Sequence, residues 1–171
     1  MKKIATLACL LLATPVFAQQ GGPFRAALSG YNEVPSVNTA AEGSFEARAN
    51  GPSVDYTLTY SGLQAPVTMS HIHFAQPHVN GSIIVWICGS EANPGPAGTP
   101  ACPGTGGTVQ GTFTSANVLA ASTATQQFPA GDLEALIDAM LAGAAYVNVH
   151  STASPGGEIR GQVSARGNRP Q

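Results

Sequence analysis

The chain has 171 residues, of which 43% are hydrophobic and 9% charged, with 20 glycines, 13 prolines and a formal net charge of −2. This length suits a single domain, and the apolar content excludes an intrinsically disordered chain. Seven basic residues are too few for a stripe along a phosphate backbone or a polybasic membrane patch. Nucleic acid and anionic membrane surfaces are therefore not expected partners.

The first 18 residues have the organisation of an export signal. Two lysines precede an apolar run from Ile4 to Ala13, and Ala18 closes a small-x-small cleavage site. The alternatives are a membrane anchor and a lipoprotein signal at Cys9. The run is shorter than the ~20 residues of a membrane span, and Cys9 lies very early in it. We predict a signal peptide at 1–18, a periplasmic or secreted protein, and no membrane span.

Alternation of apolar and polar residues dominates the rest of the chain. Val54, Tyr56, Leu58 and Tyr60 alternate with polar residues, which predicts a strand with one buried face. Asn80-Gly81 predicts a type I′ hairpin turn. Weaker alternation predicts further strands at 24–28, 44–49, 67–74, 82–87, 108–114, 145–150 and 158–164. We predict a mainly β domain over residues 19–165, an antiparallel sandwich or barrel of seven or eight strands with one short helix.

Two cysteines, Cys88 and Cys102, remain after the predicted cleavage. They lie fourteen positions apart across a stretch rich in glycine and proline. In an oxidising compartment a disulfide is the first hypothesis. Two unpaired thiols, or two soft metal ligands, are the alternatives.

One segment has helical rather than strand periodicity. Leu133, Leu136, Ile137, Met140 and Leu141 form a stripe on one helical face, with Asp132 before them and Gly143 after them. An aspartate at the start and a glycine past the end are typical helix caps. We predict a helix at 132–142 that packs as a lid over the sheet. Residues 166–171 lack apolar periodicity and are predicted to form a flexible tail.

The histidines are the main candidates for metal ligands. His71 and His73 are two apart on a predicted strand, so they share a face, and two imidazoles on one face can hold one ion. His150 ends a second strand and could join them. His78 lies in the following loop, and the thioether of Met69, on the same face as His71, would suit Cu(I).

The alternative is a hydrogen-bonded histidine pair that orders a loop, with Met69 in the core. In either case Ile72 and Phe74 should face the core. Strand alternation then places His71 and His73 on an outward, exposed face.

Three charged residues near turns complete the candidate set. Glu158 and Arg160 share a strand face with Gln162 after a Pro-Gly-Gly turn, where they could orient a ligand or bridge neighbouring strands. We favour the structural role, because nothing reactive accompanies them. Glu33, beside Pro35, is interpreted as a feature of the entry into a strand or a carboxylate behind a ligand rather than a catalytic base.

Several segments together resemble the CHRD domain family, named after chordin. They are residues 28–35 (LSGYNEVP), 60–63 (YSGL), 71–73 (HIH), 80–85 (NGSIIV), 141–149 (LAGAAYVNV) and 150–162 (HSTASPGGEIRGQ). The resemblance implies an exported immunoglobulin-like Greek-key sandwich or barrel, distantly similar to copper/zinc superoxide dismutases. In chordin, such domains belong to a secreted protein that binds growth factors. The stretch 97–108, which contains Cys102, departs from the family pattern.

The sequence lacks the motifs of hydrolases and nucleotide enzymes, namely the Gly-x-Ser-x-Gly elbow, His-Glu-x-x-His and a phosphate-binding glycine loop. We expect an exported non-catalytic domain with a candidate copper site at His71, His73 and His150. One alternative is an extracellular protein-binding or adhesion module without metal. A second is a copper enzyme similar to superoxide dismutase.

Overall fold

The computed structural model describes residues 23–165, so the predicted signal peptide and the predicted C-terminal tail lie outside the described residues. Nine strands and one α helix form the framework. The strands are β1 (Phe24–Ser29), β2 (Glu42–Asn50), β3 (Ser53–Ser61), β4 (Val67–Phe74), β5 (Ser82–Gly89), β6 (Gly107–Thr114), β7 (Ala145–Ser151), β8 (Ile159–Gln162) and β9 (Ser164–Ala165), and the helix is α1 (Leu133–Leu141).

The strands form one antiparallel sheet in the order β5-β4-β7-β8-β1-β2-β3-β6, with β9 paired to β1. The two end strands of this order, β5 and β6, contact each other, and β5 also approaches β3, the neighbour of β6. The hydroxyl of Tyr56, on β3, donates a hydrogen bond to the carbonyl of Ile87 on β5 at 2.9 Å. The sheet is therefore nearly closed and barrel-like, which confirms the predicted mainly β, sandwich-or-barrel architecture.

The core lies inside this curled sheet. Val54, Tyr56, Leu58 and Tyr60 of β3 are all buried, as their alternation predicted, while the residues between them are exposed or only partly buried. Burial of apolar surface is the main favourable term in folding. The period-two pattern therefore fixes which face of the strand turns inward.

Helix α1 covers part of this core. The Asp132 carboxylate accepts a hydrogen bond from the backbone N–H of Ala135 at 2.9 Å and caps the first turn. Leu136 and Met140 are fully buried, and Gly143, just past the end, has a φ of 68°. The predicted helix is confirmed. Within residues 23–165 no helix is long and apolar enough to cross a membrane.

The predicted type I′ turn at Asn80-Gly81 is wrong. The β4–β5 connection spans residues 75–81, and its positive φ, 64°, falls on His78 rather than on Asn80 or Gly81. A Cβ on Gly81 would lie only 1.9 Å from the carbonyl oxygen of Phe74. The glycine is needed there because two backbone segments approach closely, which sequence pattern alone does not distinguish from a tight turn.

The edge of β5 is covered by two other segments. Near its C-terminal end, the N–H of Gly89 donates to Pro100 O at 2.9 Å and the N–H of Cys102 donates to Gly89 O at 2.8 Å. Further along, the N–H of Leu119 donates to Ile84 O at 2.8 Å. The predicted disulfide is present between Cys88 and Cys102, with an S–S distance of 2.01 Å, and it ties the first of these segments to β5.

Replacing both cysteines by serine should lower the free energy of unfolding by about 3 kcal/mol, because the bond closes a loop of 14 residues that the unfolded chain would otherwise leave open. Urea denaturation of a chain that begins at residue 19 measures this. Alkylation of that chain in denaturant without reductant is the companion test. Two modified thiols in the unreduced protein would contradict the disulfide.

Candidate metal centre

The candidate ligands lie on the face of the sheet opposite to the core. In the β4–β7 ladder Met69 pairs with His150, His71 with Asn148, and His73 with Tyr146. Directly opposite residues share a face, so all six side chains project to the same side. Ile72 is fully buried in the core on the other side. The predicted sharing of one face by His71 and His73, with His150 from a second strand, is what the register shows.

The predicted exposure of these histidines is wrong. His71, His73 and His150 are only 0%, 7% and 6% exposed. Strand alternation correctly directs them away from the core, but loops cover this outer face of the sheet. The carbonyls of Gly81 and Pro155, which belong to two of these loops, each lie 2.9 Å from a histidine ring nitrogen. A second, polar interior therefore lies between the sheet and its loops.

The three buried imidazoles converge. One ring nitrogen from each of His71, His73 and His150 lies within 4.8 Å of the others. The ring centroid of His71 lies 5.4 Å from that of His73 and 5.2 Å from that of His150. These three histidines therefore form a cluster that could hold a metal ion, and it is the one such group of histidine, cysteine or acidic side chains among the described residues.

Backbone carbonyls orient two of the three rings. His73 Nδ1 lies 2.9 Å from Gly81 O and His150 Nδ1 lies 2.9 Å from Pro155 O. A carbonyl only accepts, so both Nδ1 atoms carry the proton and donate it. In a neutral imidazole the lone pair is then on Nε2. The same pattern, with Nδ1–H held by a carbonyl, fixes the tautomer of histidine ligands in metal sites.

Asn148 lies between these two lone pairs. Its Oδ1 is 3.0 Å from His73 Nε2 and 3.1 Å from His150 Nε2. An amide oxygen is also an acceptor, so three lone-pair-bearing atoms face one another. A cation at this point would satisfy both nitrogens.

The His71 ring has no hydrogen-bond partner within the described part of the chain, although its backbone pairs with β5 and β7. Both of its ring nitrogens are buried and unpaired, and its ring makes an edge-to-face contact with Trp86 at 4.3 Å between centroids. An unsatisfied buried polar group costs about 1–3 kcal/mol. Burial, followed by the charges that His150 and His73 would carry, lowers the pKa of His71 to about 2. The ring is therefore neutral and available as a ligand at physiological pH.

Glu33 stands behind Asn148. Its carboxyl group lies beside the Asn148 side chain, and burial raises its pKa to about 7 despite the opposing charge of Arg160. A Cβ on Gly157 would lie 2.3 Å from Glu33 Oε1, so only glycine leaves room for the carboxyl group. Glu33 Oε1 is buried without a partner. Glu33 thus lies behind Asn148, on the side away from the candidate ligands.

A row of stacked groups links the cluster to β8. The Arg160 guanidinium lies 3.4 Å from the centroid of the Tyr146 ring. The Tyr146 ring in turn stacks on His73 at 4.6 Å and an interplanar angle of 3°. Burial lowers the pKa of His73 to about 4, although its hydrogen bond to Gly81 opposes this. The stack restrains the plane of His73 in the orientation that directs Nε2 towards Asn148.

The remaining predicted site residues are not all in the cluster. His78 is exposed in the loop and outside the converging group. Met69 is partly buried and lies opposite His150 in the ladder. Glu158 is fully buried and its Oε1 accepts hydrogen bonds from Thr39 Oγ1 at 2.8 Å and Gln64 N at 2.9 Å, which favours a structural role.

The sequence analysis did not identify three neighbours of the histidines, Tyr146, Asn148 and Trp86. Asn148 precedes His150 by two positions on the same strand face, a spacing that could have marked it as part of the site. Trp86 had no such signal, because its contact with His71 depends on the β4–β5 register, which includes an irregularity next to His71.

The fold and the cluster define a class of protein: a disulfide-containing, barrel-like β domain with a buried three-histidine centre on the outer face of its sheet. The family model of the CHRD domain matches residues 24–163. The chain therefore belongs to the CHRD domain family, as the resemblance of its motifs predicted. No curated protein and no solved structure matches it.

Proposed function

We propose that this protein is an exported, non-catalytic CHRD domain that binds one copper ion, as Cu(I), at His71, His73 and His150. The observation that carries the proposal is the state of His71, which is fully buried with both ring nitrogens unpaired among the described residues. Folding places this unsatisfied imidazole beside two others whose lone pairs already face a common point. A bound ion would accept one lone pair from each of the three rings.

The geometry permits coordination after a small contraction. Nitrogens that bind one ion at 2.0–2.1 Å with tetrahedral angles lie about 3.4 Å apart. One nitrogen of each ring now lies within 4.8 Å of the other two, so the three rings would move closer together. The Asn148 amide, which occupies the space between His73 and His150, would move aside.

The ligand set favours a monovalent ion. Three neutral imidazoles contribute no negative charge, and a buried ion without counter-charge is strongly disfavoured, more so when it is divalent. Imidazole binds copper more tightly than zinc in general, and a thioether favours Cu(I). Met69, directly opposite His150 in the ladder, is the proposed fourth ligand.

Export is supported by two features of the chain. The segment 1–18 has the organisation of a signal peptide. The Cys88–Cys102 disulfide fits an oxidising compartment. A domain that carries copper there would store the ion or pass it on.

The proposal is tested by titrating the chain from residue 19 with Cu(I) under anaerobic conditions against a chromogenic chelator. Zn²⁺ and Cu²⁺ are titrated in parallel. We expect one tight Cu(I) site, and a loss of affinity of at least about 100-fold in His71→Ala and in His150→Ala, because outer partners of a metal site alone contribute 10–100-fold. The single tryptophan, in contact with His71, gives a second readout through its fluorescence.

His78→Ala is the matched control, because it removes the one histidine outside the cluster and should leave the affinity unchanged. If the wild type binds copper no more tightly than a protein lacking both His71 and His150, the histidines are structural. The protein-binding module without metal would then be the better description.

A further inference from the structure

A groove on the outer face of β1 and β8 is separate from the histidine cluster. It has a volume of about 450 Å³ and is lined by Arg25, Ala27, Asn32, His78, Arg160 and Gln162, among others. None of the three clustered histidines lines it. Its size lies within the range of small-molecule sites, about 300–1,000 Å³.

Arg160 contributes a buried positive charge to this groove. The residue is only 2% exposed, and its guanidinium donates to Asn80 Oδ1 at 3.1 Å and to Val79 O at 2.8 Å. Both acceptors are neutral. Arginine has five N–H donors and stays protonated in proteins, so further donors remain available.

No carboxylate neutralises Arg160 at close range. Within residues 23–165 the salt bridge is the one between Arg25 and Glu46, so Arg160 takes part in none. Glu33 is near enough to interact electrostatically with Arg160 but forms no salt bridge with it. The other contact of the Arg160 guanidinium is the Tyr146 ring, 3.4 Å away. A buried charge whose contacts are all to neutral groups is costly, so a positively charged groove wall of this kind is typical of a site whose counter-charge is the ligand.

A second arginine stands at the rim. The side chain of Arg25 is 53% exposed, and its 3.4 Å contact with Glu46 is equally exposed. Exposed ion pairs contribute about 0–1 kcal/mol, so Arg25 can turn to a ligand at little cost. Two of the three arginines in the described part of the chain thus line one groove, while the third, Arg48, lies on β2 outside it.

We propose that this groove binds a small molecule through a carboxylate or phosphate group. The group would be held by those N–H donors in the planar fork of Arg160 that Asn80 and Val79 leave free, and by Arg25 from the rim. Ala27 leaves room between them, and the Asn32 and His78 side chains lie on the walls. The site requires no metal and stands independently of the proposed copper function.

The test is amide-resolved NMR of metal-free protein titrated with succinate and, separately, with inorganic phosphate, against chloride at equal ionic strength. We expect saturable shifts confined to residues around the groove, such as Ala27, His78 and the Arg160 side-chain N–H. Succinate alone, or phosphate alone, would identify which oxyanion the site takes. Chloride should produce no saturable shift.

Variants separate the site from general surface charge. Arg25→Gln should weaken binding at least about fivefold, and Arg160→Lys, which keeps the charge but loses the fork, about tenfold or more. Arg48→Gln is the matched control and should change nothing. The proposal fails if no shift saturates, or if Arg25→Gln and Arg48→Gln weaken binding equally. Because Arg25 is exposed, its variant tests the site even if Arg160→Lys does not fold.

Discussion

Replacing Leu136 with aspartate is expected to unfold the protein at room temperature. Leu136 is fully buried where α1 packs on the core. The substitution removes a buried leucine side chain, which costs about 2–5 kcal/mol, and adds a carboxylate with no partner, which costs several more. Domains of this size have about 5–15 kcal/mol of stability in total. Loss of the near-ultraviolet circular dichroism of the aromatic core would report the unfolding.

Leu136→Met is the control for this experiment. It keeps the volume and the apolar character, so it should cost less than about 1.5 kcal/mol. A Leu136→Asp protein that melts at the same temperature as Leu136→Met would show that α1 does not pack against the sheet in solution.

Acid is expected to destabilise the metal-free protein through its buried histidines. Burial lowers the pKa of His71 to about 2 and that of His73 to about 4, below the ordinary value of 6.5. As pH falls below 6.5 the unfolded chain therefore binds protons that the folded protein does not. The contribution of these two histidines to the free energy of unfolding is complete above pH 6.5. Protonation of the unfolded chain lowers that free energy by about 2 kcal/mol for each histidine by pH 5.

Glu33 acts in the opposite direction. Burial raises its pKa from 4.5 to about 7, so the folded protein takes up this proton first as pH falls. Between pH 7.5 and 5 it restores about 2 kcal/mol of the free energy of unfolding, so His71, His73 and Glu33 together account for a net loss of about 2 kcal/mol. In Glu33→Gln this compensation is absent, and the loss over the same interval should be about 4 kcal/mol.

Urea denaturation at a series of pH values distinguishes the two contributions. Glu33→Gln should give a steeper acid profile than the wild type, whereas His71→Leu, which fills the same space without titrating, should give a shallower one. Parallel profiles for all three proteins would mean that neither group has a shifted pKa in the folded state.

The secondary structure followed from the sequence because its causes are local. The alternation from Val54 to Tyr60 and the stripe from Leu133 to Leu141 each report one buried face, and a face is decided by the strand or helix itself. The prediction of a type I′ turn at Asn80-Gly81 was wrong because the cause there is not local. The glycine is required by the approach of the Phe74 carbonyl, and such a contact between segments leaves no mark in the order of residues.

The candidate site was predictable only in part, for a similar reason. The shared face of His71 and His73 follows from their spacing of two. Their burial does not, because it depends on loops such as the one that carries Pro155. The contact between Glu33 and Asn148 joins residues 115 positions apart, and only the folded chain brings them together.

The covered edge of β5 also affects the tendency of the protein to self-associate at high concentration. A sheet edge with free N–H and C=O groups is a template on which another chain can add a strand. Here the segments around Pro100 and Leu119 occupy that template, and the Cys88–Cys102 bond holds the first of them in place. The bond therefore protects the protein against strand-by-strand self-association as well as against unfolding, and its reduction would uncover a hydrogen-bonding edge while most of the sheet is still intact.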